Sequence, residues 1–188
     1  MYKDFFFPTP VYVKDIGSPE LNKHLEENIL NLSKTDPGMK KSNKNGWHSK
    51  NDIYNMPEYK ELVSLLFKMQ NEIFKEEGLE PSPFIGNINP KGGYNTSHIH
   101  SNSLWSGVYY VKTPNNCGKL GIKDPRTLSL MTLPRYDKPL KSYQWRQFYY
   151  EAVAGRCIMF PAWLEHFVEP NESNDLRISI SFNFLQKK

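Results

Sequence analysis

The sequence predicts a mostly β fold, a double-sheet jelly roll, with two N-terminal helices packed on one of its faces. Three observations carry this reading. After Gly78, short β-prone runs alternate with turn residues, the texture of an all-β sandwich or barrel. About eight such runs fall within roughly 100 residues, which suits a jelly roll. Before Gly78, apolar residues recur at helical spacing instead, in two separate stretches.

Taken in order, Val11-Tyr12-Val13 is a short strand after Pro10. Ser18-Pro19 opens the first helix, with serine as cap and proline at the first helical position. Leu21, Leu25, Ile29 and Leu32 form its apolar stripe, and Thr35-Asp36-Pro37-Gly38 ends it. His24 falls on the polar side, as a solvated residue. Residues 38–56 are rich in Lys, Asn and Ser and read as one long loop. Within it, Trp47 of Gly46-Trp47-His48-Ser49 either anchors the loop to the body or contributes to a substrate lip. Pro57 to Glu77 is the strongest helix. Leu62, Leu66, Met69 and Ile73 make one face, Val63, Leu65, Phe67 and Phe74 widen it, and Gly78 stops it. So broad an apolar face should lie against a sheet. The strands expected after it are Phe84 to Asn89, Tyr94 to Ser97, Trp105 to Lys112, Lys119 to Lys123, Leu128 to Leu133, Gln144 to Val153, Arg156 to Phe160 and Arg177 to Phe184.

At 188 residues the chain suits one domain, 1–188, with a strand, helices and loop over 1–80 and the β core over 81–188. The net charge of +4 is diffuse, so nucleic acid is not expected as a partner. Cys117 and Cys157 are too few for a disulfide framework and read as ordinary thiols in a reducing compartment. The N-terminal aromatic run lacks the apolar core and cleavage site of a signal peptide. No apolar run approaches the roughly 20 residues that span a bilayer. A cytoplasmic location without membrane contact is therefore expected.

The chemistry gathers around Tyr94-Asn95-Thr96-Ser97-His98-Ile99-His100. Side chains at i and i+2 of an extended backbone point to the same side, so His98 and His100 could both reach one metal ion. Pro161-Ala162-Trp163-Leu164-Glu165-His166 offers a third imidazole, and Arg177 follows eleven residues later. Neutral imidazole suits Fe(II), Zn, Cu and Ni alike, so three histidines do not choose the metal. Two histidines on one strand could also cap a barrel mouth by hydrogen bonding. On the last strand Ile178, Ile180, Phe182 and Phe184 fall on one side, with Arg177, Ser179, Ser181 and Asn183 on the other. The apolar side should pack under the helices, which turns the other side inward. An arginine there needs an anionic partner, because a buried guanidinium without one is very costly. Either an intramolecular Asp or Glu supplies it, or Arg177 clamps the carboxylate of a small ligand. Ser179 faces the same way, and Tyr110 could add a phenol hydroxyl.

These motifs resemble the 2-oxoglutarate- and Fe(II)-dependent dioxygenases, most of all a small branch with the pattern N-x-N-P-x-G-x-Y-N-x-x-H-x-H followed by S-G-V-Y-Y-V. Here that reads Asn87-Ile88-Asn89-Pro90, Gly93-Tyr94-Asn95, His98-Ile99-His100 and Ser106-Gly107-Val108-Tyr109-Tyr110-Val111. Phe160 to His166 and Arg177 to Asn183 fit the same branch. The chain is also similar to the prolyl hydroxylases of that superfamily, whose double tyrosine matches Tyr109-Tyr110. The resemblance implies a double-stranded β-helix of the cupin-like kind, with iron at one mouth and 2-oxoglutarate deeper inside. It implies His98, His100 and His166 as metal ligands and catalytic centre, and Arg177, Ser179, Tyr110 and Asn89 around the cosubstrate. It implies oxidative decarboxylation of 2-oxoglutarate with dioxygen, coupled to hydroxylation of a substrate the sequence does not name. A homodimer is compatible with it.

One departure stands out. The superfamily usually carries H-x-D or H-x-E at the first pair, and here His100 occupies the carboxylate position. Three neutral ligands leave the metal two positive charges instead of one, which weakens Fe(II) affinity or favours an anionic ligand. Asp124 or Glu165 could compensate, and Asn102 is a further ligand register. The departure also leaves an alternative reading, a cupin-like module holding zinc or another metal on three histidines without 2-oxoglutarate.

Overall fold

The computed structural model describes residues 2, 4, 7–50, 53–74, 79–126 and 139–186. Strand β1 (Tyr12–Asp15) leads into helix α1 (Pro19–Thr35), two short strands β2 (Asn43–Lys44) and β3 (Trp47–His48), and helix α2 (Lys60–Phe74). Then come β4 (Leu79–Asn89), β5 (Tyr94–His98), β6 (Trp105–Lys112), β7 (Leu120–Lys123), β8 (Gln147–Tyr150), β9 (Arg156–Pro161), β10 (His166–Val168) and β11 (Arg177–Gln186). They form a six-stranded sheet, β1-β9-β6-β11-β4-β3, and a five-stranded sheet, β2-β5-β10-β7-β8. Every pairing is antiparallel. This is the double-stranded β-helix the sequence predicts, with both helices on the outer face of the larger sheet.

Helix α1 starts where its signals say. The Ser18 hydroxyl accepts from the Leu21 N–H at 3.1 Å, and Pro19 takes a first-turn position that needs no donor. Its stop is built from Asp36, whose N–H closes onto the Leu32 carbonyl while its carboxylate accepts from the Gly38 and Lys50 amides. Leu21, Leu25 and Ile29 are buried. They meet Leu62, Leu66 and Met69 of α2 and Ile178, Ile180, Phe182 and Phe184 of β11 in one core. Ile73, Val63, Leu65 and Phe67 pack at its margin, partly buried. Full burial of such side chains stabilises by about 1.5–3 kcal/mol each. The alternation of β11 therefore decides what the cavity receives. Its apolar row is held by the helices, so its polar row faces between the sheets.

Several boundaries differ from expectation. The stretch 38–56, expected as one loop, carries β2, β3 and a 3-10 turn over Ile53–Asn55 among its described residues. Two-residue strands are too short to leave a period in the sequence, and their polar side chains disguise the backbone pairing to β5 and β4. The second helix begins as a 3-10 turn over Pro57–Tyr59, and its described α-helical part ends at Phe74. Its expected stop at Gly78 and the expected strand Leu128 to Leu133 lie outside the described residues. The strand expected over Gln144 to Val153 shortens to Gln147–Tyr150, after a 3-10 turn over Ser142–Gln144. Strand β10, which carries His166, is an unexpected one. Cys117 and Cys157 are free and buried, as two ordinary thiols. His24 is exposed on α1.

Candidate metal centre

The two sheets enclose a cavity of about 570 Å³. One wall is the polar face of the larger sheet. His48, Asn87, Ser179 and Tyr110 form a transverse row there, because β3, β4, β11 and β6 are paired in that register. Asn89 lies opposite Arg177 in the next row. All six side chains line the cavity. Tyr109 points the opposite way and donates its hydroxyl to Asn22 of α1. The tyrosine pair is thus divided between two layers by strand alternation alone.

Three imidazoles face this wall from the smaller sheet. His98 ends β5, His100 follows it by two residues, and His166 opens β10. His166 is the cross-strand partner of His98. The ligating nitrogens of the three rings all lie within 4.8 Å of one another, and among the described residues no carboxylate or thiol joins them. The His98 Nδ1–H donates to the Thr96 carbonyl at 2.7 Å, and the His166 Nδ1–H donates to the Leu164 carbonyl at 2.9 Å. A carbonyl only accepts, so the proton is on Nδ1 and the lone pair on Nε2 is left for a metal. Burial lowers all three pKa values, His166 to about 3 and His100 to about 4. Neutral rings converging without protons between them fit a divalent cation of the Fe(II) type.

The carboxylates that could have completed the set are engaged elsewhere. Asp124 receives two hydrogen bonds from the Arg126 guanidinium. Glu165 accepts from Ser97 and Lys123 on the outer side of the sheet, both at 2.7 Å. Neither lines the cavity, whereas Asn102 does.

Arg177 is 1% exposed. Its Nη1 donates to the carbonyls of Cys117 and Glu169, and its Nη2 lies 3.4 Å from the Gly93 carbonyl. Among the described residues no ion pair joins it to a carboxylate. Burial pulls its pKa below the ordinary arginine range. The guanidinium is therefore oriented by neutral carbonyls, the Glu169 carboxylate acts on it only without direct pairing, and an incoming anion would give the buried charge a contact partner.

The family described as "Putative 2OG-Fe(II) oxygenase" matches residues 86–183, more than half of the chain. The chain belongs to this family. It is an enzyme that uses Fe(II) and 2-oxoglutarate. No curated protein matches the oxygenase in sequence. Solved structures do match in fold. A prolyl-4-hydroxylase of Pseudomonas putida aligns with a TM-score of 0.69 at 14% identity, over 96% of this chain and 94% of that one. A prolyl hydroxylase of Trichoplax adhaerens, solved with a hypoxia inducible factor peptide fragment, gives 0.67 at 13% identity, over 94% and 83%. HygX of Streptomyces hygroscopicus, solved with nickel, 2-oxoglutarate and hygromycin B, gives 0.70 at 9% identity, over 95% and 83%.

The structure brings His98, His100, His166, Arg177, Ser179, Tyr110 and Asn89 of the oxygenase to one cavity. Sequence reasoning missed His48. It attended instead to the neighbouring Trp47, whose indole donates to the Asp36 carbonyl at 2.9 Å and packs into the helix-side core. Trp47 anchors its segment to the body, and the next residue faces the chemistry. The signal was the i/i+1 alternation of a strand, hidden because β3 has two residues.

Proposed function

We propose that His98, His100 and His166 hold the Fe(II) of this oxygenase, that Arg177 with Tyr110, Ser179 and Asn89 holds 2-oxoglutarate, and that the outcome is hydroxylation. The observation that carries it is the Arg177 guanidinium, not directly paired with a carboxylate among the described residues, lining the same cavity as the histidine group. A dicarboxylate meeting the metal with one end and Arg177 with the other satisfies both. The guanidinium fork suits a carboxylate in bidentate fashion.

This chain's residues have separate tasks. The Thr96 and Leu164 carbonyls fix two imidazole tautomers. Burial holds the Tyr110 phenol well above its usual range, so it stays protonated as a donor to a carboxylate oxygen. Ser179 lies opposite Tyr110 on the adjacent strand and supplies a second neutral donor. Phe160 and Leu120 exclude water from the apolar part of the wall. Fe(II) bound there supplies the redox chemistry by which one dioxygen oxidises 2-oxoglutarate to succinate and CO2 and a substrate C–H to C–OH. The hydroxylases among the structural neighbours support that outcome.

The test is anaerobic titration of the Fe(II)-loaded protein with 2-oxoglutarate, followed by assay of succinate on admitting oxygen. Saturable binding and oxygen-dependent succinate are expected. Protein that takes up Fe(II) but neither binds 2-oxoglutarate nor forms succinate overturns the assignment of Arg177.

A further inference from the structure

His48 is the buried group that the cosubstrate does not account for. It is 5% exposed, it lines the cavity, and neither ring nitrogen has a hydrogen-bond partner. The Asn87 carboxamide lies beside the ring. Its NH2 is already given to the Ile85 carbonyl and the Ser181 hydroxyl, and its oxygen does not meet the imidazole in hydrogen-bonding geometry. Buried polar atoms in folded proteins are nearly always paired, so an imidazole orphaned at both nitrogens and facing a cavity marks where a ligand completes it.

The ring's valences restrict that ligand. A neutral imidazole offers one donor and one acceptor, so the ligand must bring at least one donor and one acceptor to it. A carboxylate or phosphate brings acceptors only and would set its charge against the ring's lone pair. A cation is disfavoured for a different reason. The charged described residues of the lining are Lys41 and Arg177, both positive, and no described lining residue is an acid. Three neutral imidazoles also leave a bound divalent metal with its full charge.

We propose that His48 is a substrate-positioning residue and that it selects an uncharged substrate group carrying both an N–H or O–H donor and an acceptor, that is, a carboxamide or a hydroxyl. The position suits this role. His48 stands on β3, two strands away from β11 and its Arg177–Ser179 row, at the side of the wall that the cosubstrate carboxylate does not need. The inference rests on the cosubstrate occupying the Arg177 side of the cavity.

The experiment uses the full chain loaded with Zn(II) and N-oxalylglycine, an unreactive 2-oxoglutarate mimic, which fills the metal and Arg177 positions. Two isosteric probes, acetamide and acetate, are then titrated by ligand-observed NMR, with the His48 ring followed by its 15N resonances. Acetamide should bind about tenfold more tightly than acetate and shift the His48 nitrogens. His48→Phe should lose the acetamide preference, His48→Gln should keep most of it, and both should bind N-oxalylglycine within about threefold of wild type. Equal or tighter binding of acetate in wild type, or an unchanged acetamide preference in a folded His48→Phe, overturns the proposal. Wild-type protein that fails to bind N-oxalylglycine refutes the cosubstrate assignment instead. The same probe pair on the metal-free protein then decides the role of His48 by the shifts of its own 15N resonances alone, because acetate is free to reach Arg177 there: acetamide should shift them, and acetate shifting them equally overturns the proposal.

Discussion

His166 lies directly across the sheet from His98, with their ring centroids 4.4 Å apart, although they stand 68 positions apart in the chain. Each ring is turned by a carbonyl two residues before it, Thr96 for one and Leu164 for the other. Removing either ring should abolish tight metal binding. His98→Ala and His166→Ala are each expected to fall below one tenth of an equivalent of iron by elemental analysis, a loss on the order of tenfold or more. Full metal content in both variants would refute the ligand set.

His100→Asp restores the carboxylate that related sites usually carry. It lowers the net charge of the loaded centre by one, so Fe(II) affinity should rise. Competition against a chelator reads this directly, and weaker binding than wild type contradicts the electrostatic argument.

Arg177→Ala should raise the 2-oxoglutarate requirement by roughly tenfold or more, as loss of a charge-assisted bidentate pair implies. Iron content should stay near wild type. Arg177→Lys should recover part of the loss, because a point ammonium lacks the planar fork. Succinate formation at varied 2-oxoglutarate separates the three proteins.

The metal-free protein should lose stability as the pH falls below about 6.5. His48 is held neutral down to about 4 and His166 to about 3, mainly by burial. In the unfolded chain both take up protons from about 6.5 downward. The unfolded state therefore binds more protons throughout that window, and stability drops with falling pH. Each ring contributes on the order of a few kcal/mol when the window is fully crossed. Urea unfolding at pH 7 and pH 5 measures it. Equal midpoints would show that these imidazoles are not buried as described.

Gly107→Ala should destabilise the fold by about 1–3 kcal/mol. A Cβ at this position would lie 2.6 Å from the Ile158 carbonyl oxygen of β9 and would also strike the Phe182 ring. Backbone cannot yield as a flexible side chain does. Thermal unfolding tests it, and a wild-type midpoint would mean that β6 and β9 can separate freely.

What was legible in the sequence depended on how many residues carried the pattern. The ten-residue β11 announces itself by alternation, and the eight-residue β6 by its run of β-prone residues. The helix α1 announces itself by Ser18-Pro19 and its apolar stripe. The convergence of the histidines was legible in part because His98 and His100 share a side, and the inward Arg177 because it fell on the polar row. The strand β10 was not legible, since three residues give no period. Its identity comes from pairing with β5 and β7, contacts set by the tertiary fold. His48 was lost for the same reason. The partners of Arg177 were also beyond reach, because backbone carbonyls at Cys117, Glu169 and Gly93 carry no sequence signature.

Strand β11 presents Ile178, Ile180, Phe182 and Phe184 to the helices, and Ser179, Ser181 and Asn183 to the cavity. Mutation can therefore act on alternate residues of one strand with different results. A change at Ser181 or Asn183 alters what the cavity recognises and leaves the apolar layer intact. A change at Ile180 or Phe182 costs folding free energy whatever the ligand. Such a strand lets descendants of one ancestor acquire new substrates by single steps without first becoming unstable.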